Sequence, residues 1–359
     1  MEDKVLTDEE KEKLRKERRK RRKYRLLILL LLLLGTGAML ATSTYAWFTS
    51  NKTVSVNSIK VNIDAKNGIQ ISADGTTWKS IVQTSDLTGV HATTYTTSVN
   101  QIPNILEPVS TAGIPDNNGR LPMYYGVIAT SESSLNNGEY ILTATKATEK
   151  EGNGEASDGK FIAFDLFFKV DKDTQVYLTT NSGVTTEDTP DTGIKNASRI
   201  AFVNLGHTTA GDTVANIQAL NAKESAQVYL WEPNYDVHTA AGVANARDVY
   251  GKTTTETGGS LLPYSGIIAE IPSSSDVLLG EATQSAHGTL FKDVTPTYKT
   301  VAGFDKYVQI FTLTGGITKY RIYMWVEGQD VDCENNASGG SITFDLQIST
   351  EDPTAGAGA

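Results

Sequence analysis

The chain of 359 residues carries a formal charge of −10, one cysteine and four histidines. A single cysteine excludes an intramolecular disulfide framework, so stability rests on an ordinary apolar core. Beyond the first 25 residues no Lys/Arg cluster occurs, which excludes a phosphate-binding surface for nucleic acid.

Those 25 residues hold 12 Lys or Arg and 7 Asp or Glu, with the basic ones crowded into Lys11–Arg25. Nine consecutive Leu or Ile residues follow, Leu26–Leu34. A basic block beside an apolar run marks the cytoplasmic side of a membrane-directed segment. The strongly apolar part fits a signal-peptide core of roughly 7–15 residues better than a span of roughly 20. Thr44 and Ala46 stand three and one residues before a cut that would leave Trp47 as the new N-terminus, with Ser43 after Ala41 a second place for it. The competing reading keeps residues 26–48 as a membrane anchor, with Tyr45, Trp47 and Phe48 at the outer interface. Both send residues 47–359 out of the cytoplasm, carrying a charge of −15.

Past Phe48 the pattern turns to period-two alternation, the mark of half-buried strands. Val54 and Val56 set one phase, whereas Ile59, Val61 and Ile63 set the other, so a bulge or break is expected at Asn57-Ser58. Ile69 and Ile71 lead through Asp74-Gly75 to Trp78 and Ile81, a hairpin signal. In Phe161–Val170 the even positions are apolar while Asp165 and Lys169 mark a partly wet face. Short helices are expected within Asp212–Ala222 and Ala240–Tyr250. Tyr320, Ile322, Met324 and Val326 share one face, as do Phe344, Leu346 and Ile348. Alternation of this kind builds antiparallel sheets packed face to face. The expectation is an all-β chain, an antiparallel β-sandwich with long loop insertions, preceded by an N-terminal apolar signal or anchor helix.

The polar stretches Ser85–Gly119, Thr148–Gly159, Asn181–Lys195 and Gly251–Gly259 read as surface insertions. The domain plan is a basic leader at 1–25, a signal core or anchor at 26–46, one β-domain at 47–350 and a tail at 351–359. Two sandwiches joined near 182–196 are the alternative.

Catalytic motifs are scarce. The histidines His91, His207, His238 and His287 lie far apart, none in a His-Glu-x-x-His pattern, and no GxSxG elbow or P-loop occurs. Two acidic groups remain as metal candidates. Glu327, Asp330, Asp332 and Glu334, interleaved with Gly and Asn, resemble oxygen-rich Ca²⁺ loops without matching EF-hand spacing; the competing reading is a polar turn between strands. Glu232, Asp236 and His238 form a second set on a loop after a strand. Trp231 and Trp325 read as core caps. No other cofactor is indicated.

The leader's exit, Gly35-Thr-Gly-Ala-Met-Leu-Ala-Thr-Ser-Thr-Tyr-Ala-Trp-Phe-Thr-Ser-Asn51, resembles the signal peptides cut by the SipW-type signal peptidase. The cargo of that enzyme is the TasA/camelysin group of matrix-fibre proteins secreted by Gram-positive bacteria. The resemblance covers about 20 residues; the long charged leader and the size of the chain depart from the group. It implies a jelly-roll sandwich and self-association into biofilm fibres by donation of the segment after the cut. Mapped here, the donor is residues 47–58, with Val54 and Val56 filling a neighbour's groove. A membrane-anchored adhesin is the alternative, and a metal-dependent hydrolase a more distant one. The expected partners are the membrane through residues 26–48, the signal peptidase and other copies of the chain.

Overall fold

The computed structural model describes residues 53–64, 68–129, 139–148, 159–248, 250–272, 277–279, 290–333 and 339–350. The basic residues 1–25, the apolar segment 26–46, Thr44, Ala46 and Trp47 of the expected cleavage site, residues 351–359 and Glu334 all lie outside them. Among the described residues no helix is long and apolar enough to cross a membrane.

Strands dominate. In chain order they are β1 (Val54–Asp64), β2 (Gln70–Ser72), β3 (Ile81–Gln83), β4 (Ile105–Leu106), β5 (Tyr124–Ala129), β6 (Glu139–Lys146), β7 (Ile162–Val170), β8 (Thr174–Leu178) and β9 (Gly183–Thr185). There follow β10 (Ser198–Thr208), β11 (Gln227–Pro233), β12 (Tyr264–Ile267), β13 (Val277–Leu279), β14 (Phe291–Val294), β15 (Tyr298–Thr300), β16 (Val308–Leu313), β17 (Gly316–Val326) and β18 (Ser341–Ser349). The larger sheet runs β16-β8-β18-β1-β3, with β4 added to β1 and β9 to β18. The other major sheet runs β15-β11-β10-β17-β7-β2, and β12-β14 and β13-β6-β5 form two small ones.

Two pairings correct the wholly antiparallel expectation: β1 runs parallel to β18, and β11 parallel to β15. A parallel neighbour cannot be reached through a hairpin. Here it is the two ends of the domain that meet, so nearly the whole chain separates β1 from β18.

The expected break in β1 is a bulge. Val56 pairs with Ile342 and Ser58 with Thr343, leaving Asn57 unpaired. The extra residue reverses the side-chain phase, and Val54, Ile59 and Val61 are therefore all buried. The Asp74-Gly75 turn also forms, with the Asp74 carboxylate accepting from the Thr76 and Thr77 N–H groups at 2.8 Å each. Its arms close one hairpin rung, in which Ile71 and Lys79 exchange backbone hydrogen bonds at 2.8 Å, and then part: β2 joins β7 in one sheet, and β3 joins β1 in the other. Both expected helices appear, as Val214–Ala219, capped by Thr213, and Ala240–Asp248.

One apolar cluster draws on both major sheets. It takes Val61, Leu178, Phe344 and Leu346 from one and Phe164, Leu166, Phe202, Ile322 and Met324 from the other. It also spans both sides of 182–196, and the described residues fall in a single compact unit.

The partly wet face expected for Phe161–Val170 is instead dry. Asp165 and Phe167 are buried, and Lys169 is only half-buried. The cover is Ser85–Gly119, which is packed structure rather than a surface insertion. Leu87, Tyr95, Asn100, Gln101 and Ile102 are buried, and Tyr95 meets the Phe167 ring edge-on. The stretch reads as polar because its side chains complete backbone hydrogen bonds. Asn100 Oδ1 accepts from the Asp165 N–H, and the Gln101 amide donates to the Phe161 carbonyl. A second cluster, including Ala201, Val203, Tyr323 and Trp325, fills the same outer face of this sheet.

Candidate functional site

The two acidic groups read separately from the sequence belong to one buried network, built around Arg199. The register pairs Arg199 with Trp325 and Ile200 with Trp231, so Arg199 lies beside Glu232. After β17 the chain turns back tightly: Asp330 N–H donates to the Glu327 carbonyl and Cys333 N–H to that of Asp330. This turn delivers three carboxyl groups to the guanidinium and its neighbours.

Arg199 Nη2 lies 2.9 Å from Glu232 Oε1 and 2.5 Å from Asp330 Oδ2. Its Nη1 donates to the carbonyls of Asn196 and Ser198, both at 3.0 Å, and its guanidinium lies 5.8 Å from the Tyr264 ring centroid. Glu327 accepts from Trp325 Nε1 at 3.0 Å and from the Gln329 N–H at 3.0 Å. Asp332 accepts from Thr239 N–H and faces His238 Nδ1, both at 2.8 Å. The helix Ala240–Asp248 adds Asn245, whose amide donates to the Val331 carbonyl. It starts so close to the loop that a β-carbon on Gly242 would collide with Asp332 Oδ1.

The network is dry: Arg199, Glu327 and Asp332 have no measurable exposure, and Glu232 has 3%. Glu232 Oε2, His238 Nε2 and Arg199 Nε make no hydrogen bond within the protein. Burial pushes the Glu327 carboxyl up to about 8 and that of Glu232 up to about 7, the latter against the pull of Arg199. Burial also raises Asp332. For His238 burial acts downward, but the hydrogen bond and charge of Asp332, with the charges of Asp330 and Glu232, leave its imidazole above the ordinary range.

Several sequence expectations change. Glu327, Asp330 and Asp332 do not line an open loop but sit in the polar turn between strands that was the alternative, after β17 and before β18; that turn is buried throughout residues 327–333. Glu232 and His238 join them, whereas Asp236 does not: its carboxylate accepts from the Ala302 N–H, away from the network. The central cation is a guanidinium. Among the described residues no three His, Cys, Asp or Glu side chains converge as a metal site. Arg199 itself was missed, although a charged residue opening the apolar run Ile200–Val203 was a legible signal. Trp231 and Trp325 are fully buried, as expected of core residues.

Val54 and Val56 lie at the start of β1. Val54 is buried against the main cluster and pairs with Leu106, while Val56 is half-buried and pairs with Ile342. Residues 54–56 thus pair within their own chain, between β4 and β18. Comparison with protein-family models, with curated proteins and with solved structures finds no match to this chain.

Proposed function

We propose that this is an exported, non-catalytic structural protein of the cell surface or extracellular matrix, with its two major sheets facing each other as a jelly-roll-like sandwich. Copies join through exchange of the N-terminal strand. The supporting observation is the seam at Val54–Val56. This short piece, set off from the rest of β1 by the Asn57 bulge, runs between β4 on one side and β18 on the other. It pairs Ser55 with Ser341 and Val56 with Ile342 on one side and Val54 with Leu106 on the other, and further backbone bonds run from Ser55 N–H to the Gly340 carbonyl, from Val56 N–H to that of Asn104, and from Gly339 N–H to that of Thr53. An identical segment from a neighbouring copy makes the same bonds at no net loss, and head-to-tail exchange propagates without closing. The acidic surface of residues 47–359 keeps unassembled copies soluble.

Electron microscopy and sedimentation of protein beginning at Trp47 test this directly. Fibres are expected, and they should vanish when residues 47–57 are deleted. Protein that stays monomeric at high concentration, and loses nothing on that deletion, rules the exchange out. N-terminal sequencing of extracellular material separates cleavage after Ala46 from a retained anchor and an adhesin role.

A further inference from the structure

We propose that the network around Arg199 is a proton-operated latch, which clamps the segment 327–333 and the helix Ala240–Asp248 to β10 and β11 in acidic to neutral solution and lets them go in alkaline solution. The geometry carries this. Four carboxyl groups, from Glu232, Glu327, Asp330 and Asp332, face one guanidinium and one imidazole in a dry interior. Fully ionised, the site would hold two more negative than positive charges. Buried charge without a counterion is expensive, so Glu232, Glu327 and Asp332 hold their protons more tightly than in water. Glu327 is the clearest case: its oxygens meet an indole N–H, a backbone N–H and the Ser110 side chain, and no cation among the described residues forms an ion pair with it.

The other charged or titratable groups packed around the site do not remove the imbalance. From β12 comes the Tyr264 phenol, whose own ionisation burial suppresses. Lys252 donates to the Pro263 carbonyl and Tyr250 to Gln329. A crevice of about 10 Å³, lined by Tyr250, Lys252, Tyr264, Gln329 and Asp330, lies beside the network at Asp330.

The sign follows from linkage. Glu327, Glu232, Asp332 and His238 all hold protons more tightly in the folded chain than free in solution. Their stabilisation is complete below the unfolded values and is lost as pH rises through the folded ones, about 7 to 8 for the two glutamates. The loop sits between β17 and β18, the second of which holds β1, so its release bears on the seam of the proposed exchange. The latch stands whether or not that exchange occurs.

Hydrogen exchange of the full chain, corrected for intrinsic rates, tests it from about pH 6 to about pH 9. Protection across 327–333 and 240–248 should fall at least about tenfold, while 162–170 holds. Glu327→Gln, neutral at every pH, should reduce the fall to less than about threefold. Equal protection at both pH values, or an unchanged fall in E327Q, overturns the proposal. So does protection restored at high pH by added Ca²⁺, which would put a metal where the protons are placed. If E327Q does not fold, infrared spectra of the unaltered chain decide. The band of protonated carboxyls must be present near pH 6 and vanish by about pH 9; its absence near pH 6 refutes the latch.

Discussion

Around Arg199, four carboxyl groups share one guanidinium and one imidazole; around Asp165, on the same face of the same sheet, a single carboxylate takes two cations. Asp165 lies 2.9 Å from Arg321 Nη1 and 3.2 Å from Lys319 Nζ, and it accepts from the Tyr95 hydroxyl at 2.6 Å. Burial alone would raise this carboxyl, but the charges of Lys319 and Arg321 hold it at about 2. The two networks are equally dry and opposite in sign, and each responds to the opposite end of the pH scale. Burial therefore does not by itself say which way a group titrates. The excess of one charge over the other does.

The largest effect should come from removing the one strong cation of the acidic network. Arg199→Met leaves Glu232 and Asp330 buried without their guanidinium and should cost about 3–5 kcal/mol in urea unfolding near neutral pH. The loss should shrink in mild acid, where the orphaned acids take up protons. Next, Asp165→Asn strands Lys319 and Arg321 and should cost about 3 kcal/mol, a loss that mild acid does not relieve because both cations stay charged. In the unaltered chain the Asp165 contribution is intact above the ordinary aspartate range and is lost as pH falls towards 2. Melting temperatures taken across that range should fall in the parent and lie flatter in D165N. The smallest effect is expected at Lys79, whose pair with Asp86 is at the surface, with the lysine side chain 42% exposed. Lys79→Ala should stay within about 0.5 kcal/mol in the same assay. A larger loss there would mean that pairing itself, and not burial, sets these energies.

Much of the β architecture was legible. Alternation located β7, β17 and β18, and a phase change of one residue located the bulge at Asn57. The candidate site was legible only in pieces. Glu232, His238, Glu327, Asp330 and Asp332 were all singled out, but as two sets about 90 residues apart in the chain. Asp236 was placed with them because it is near in sequence, whereas its carboxylate serves the turn at Ala302. Ser85–Gly119 was misjudged because composition does not distinguish a polar side chain in water from one that completes a buried backbone hydrogen bond.

The sequence by itself determined the class of this protein: an acidic, cysteine-poor, strand-rich chain after a basic and then apolar stretch at residues 11–34. Those properties follow from composition and from the period of the apolar residues, both local along the chain. Only the tertiary structure decided that β1 pairs in parallel with β18, that two acidic clusters are one, and that the cation at their centre is Arg199. Each depends on register between segments distant in the chain, and no local pattern encodes which strand a given strand will meet.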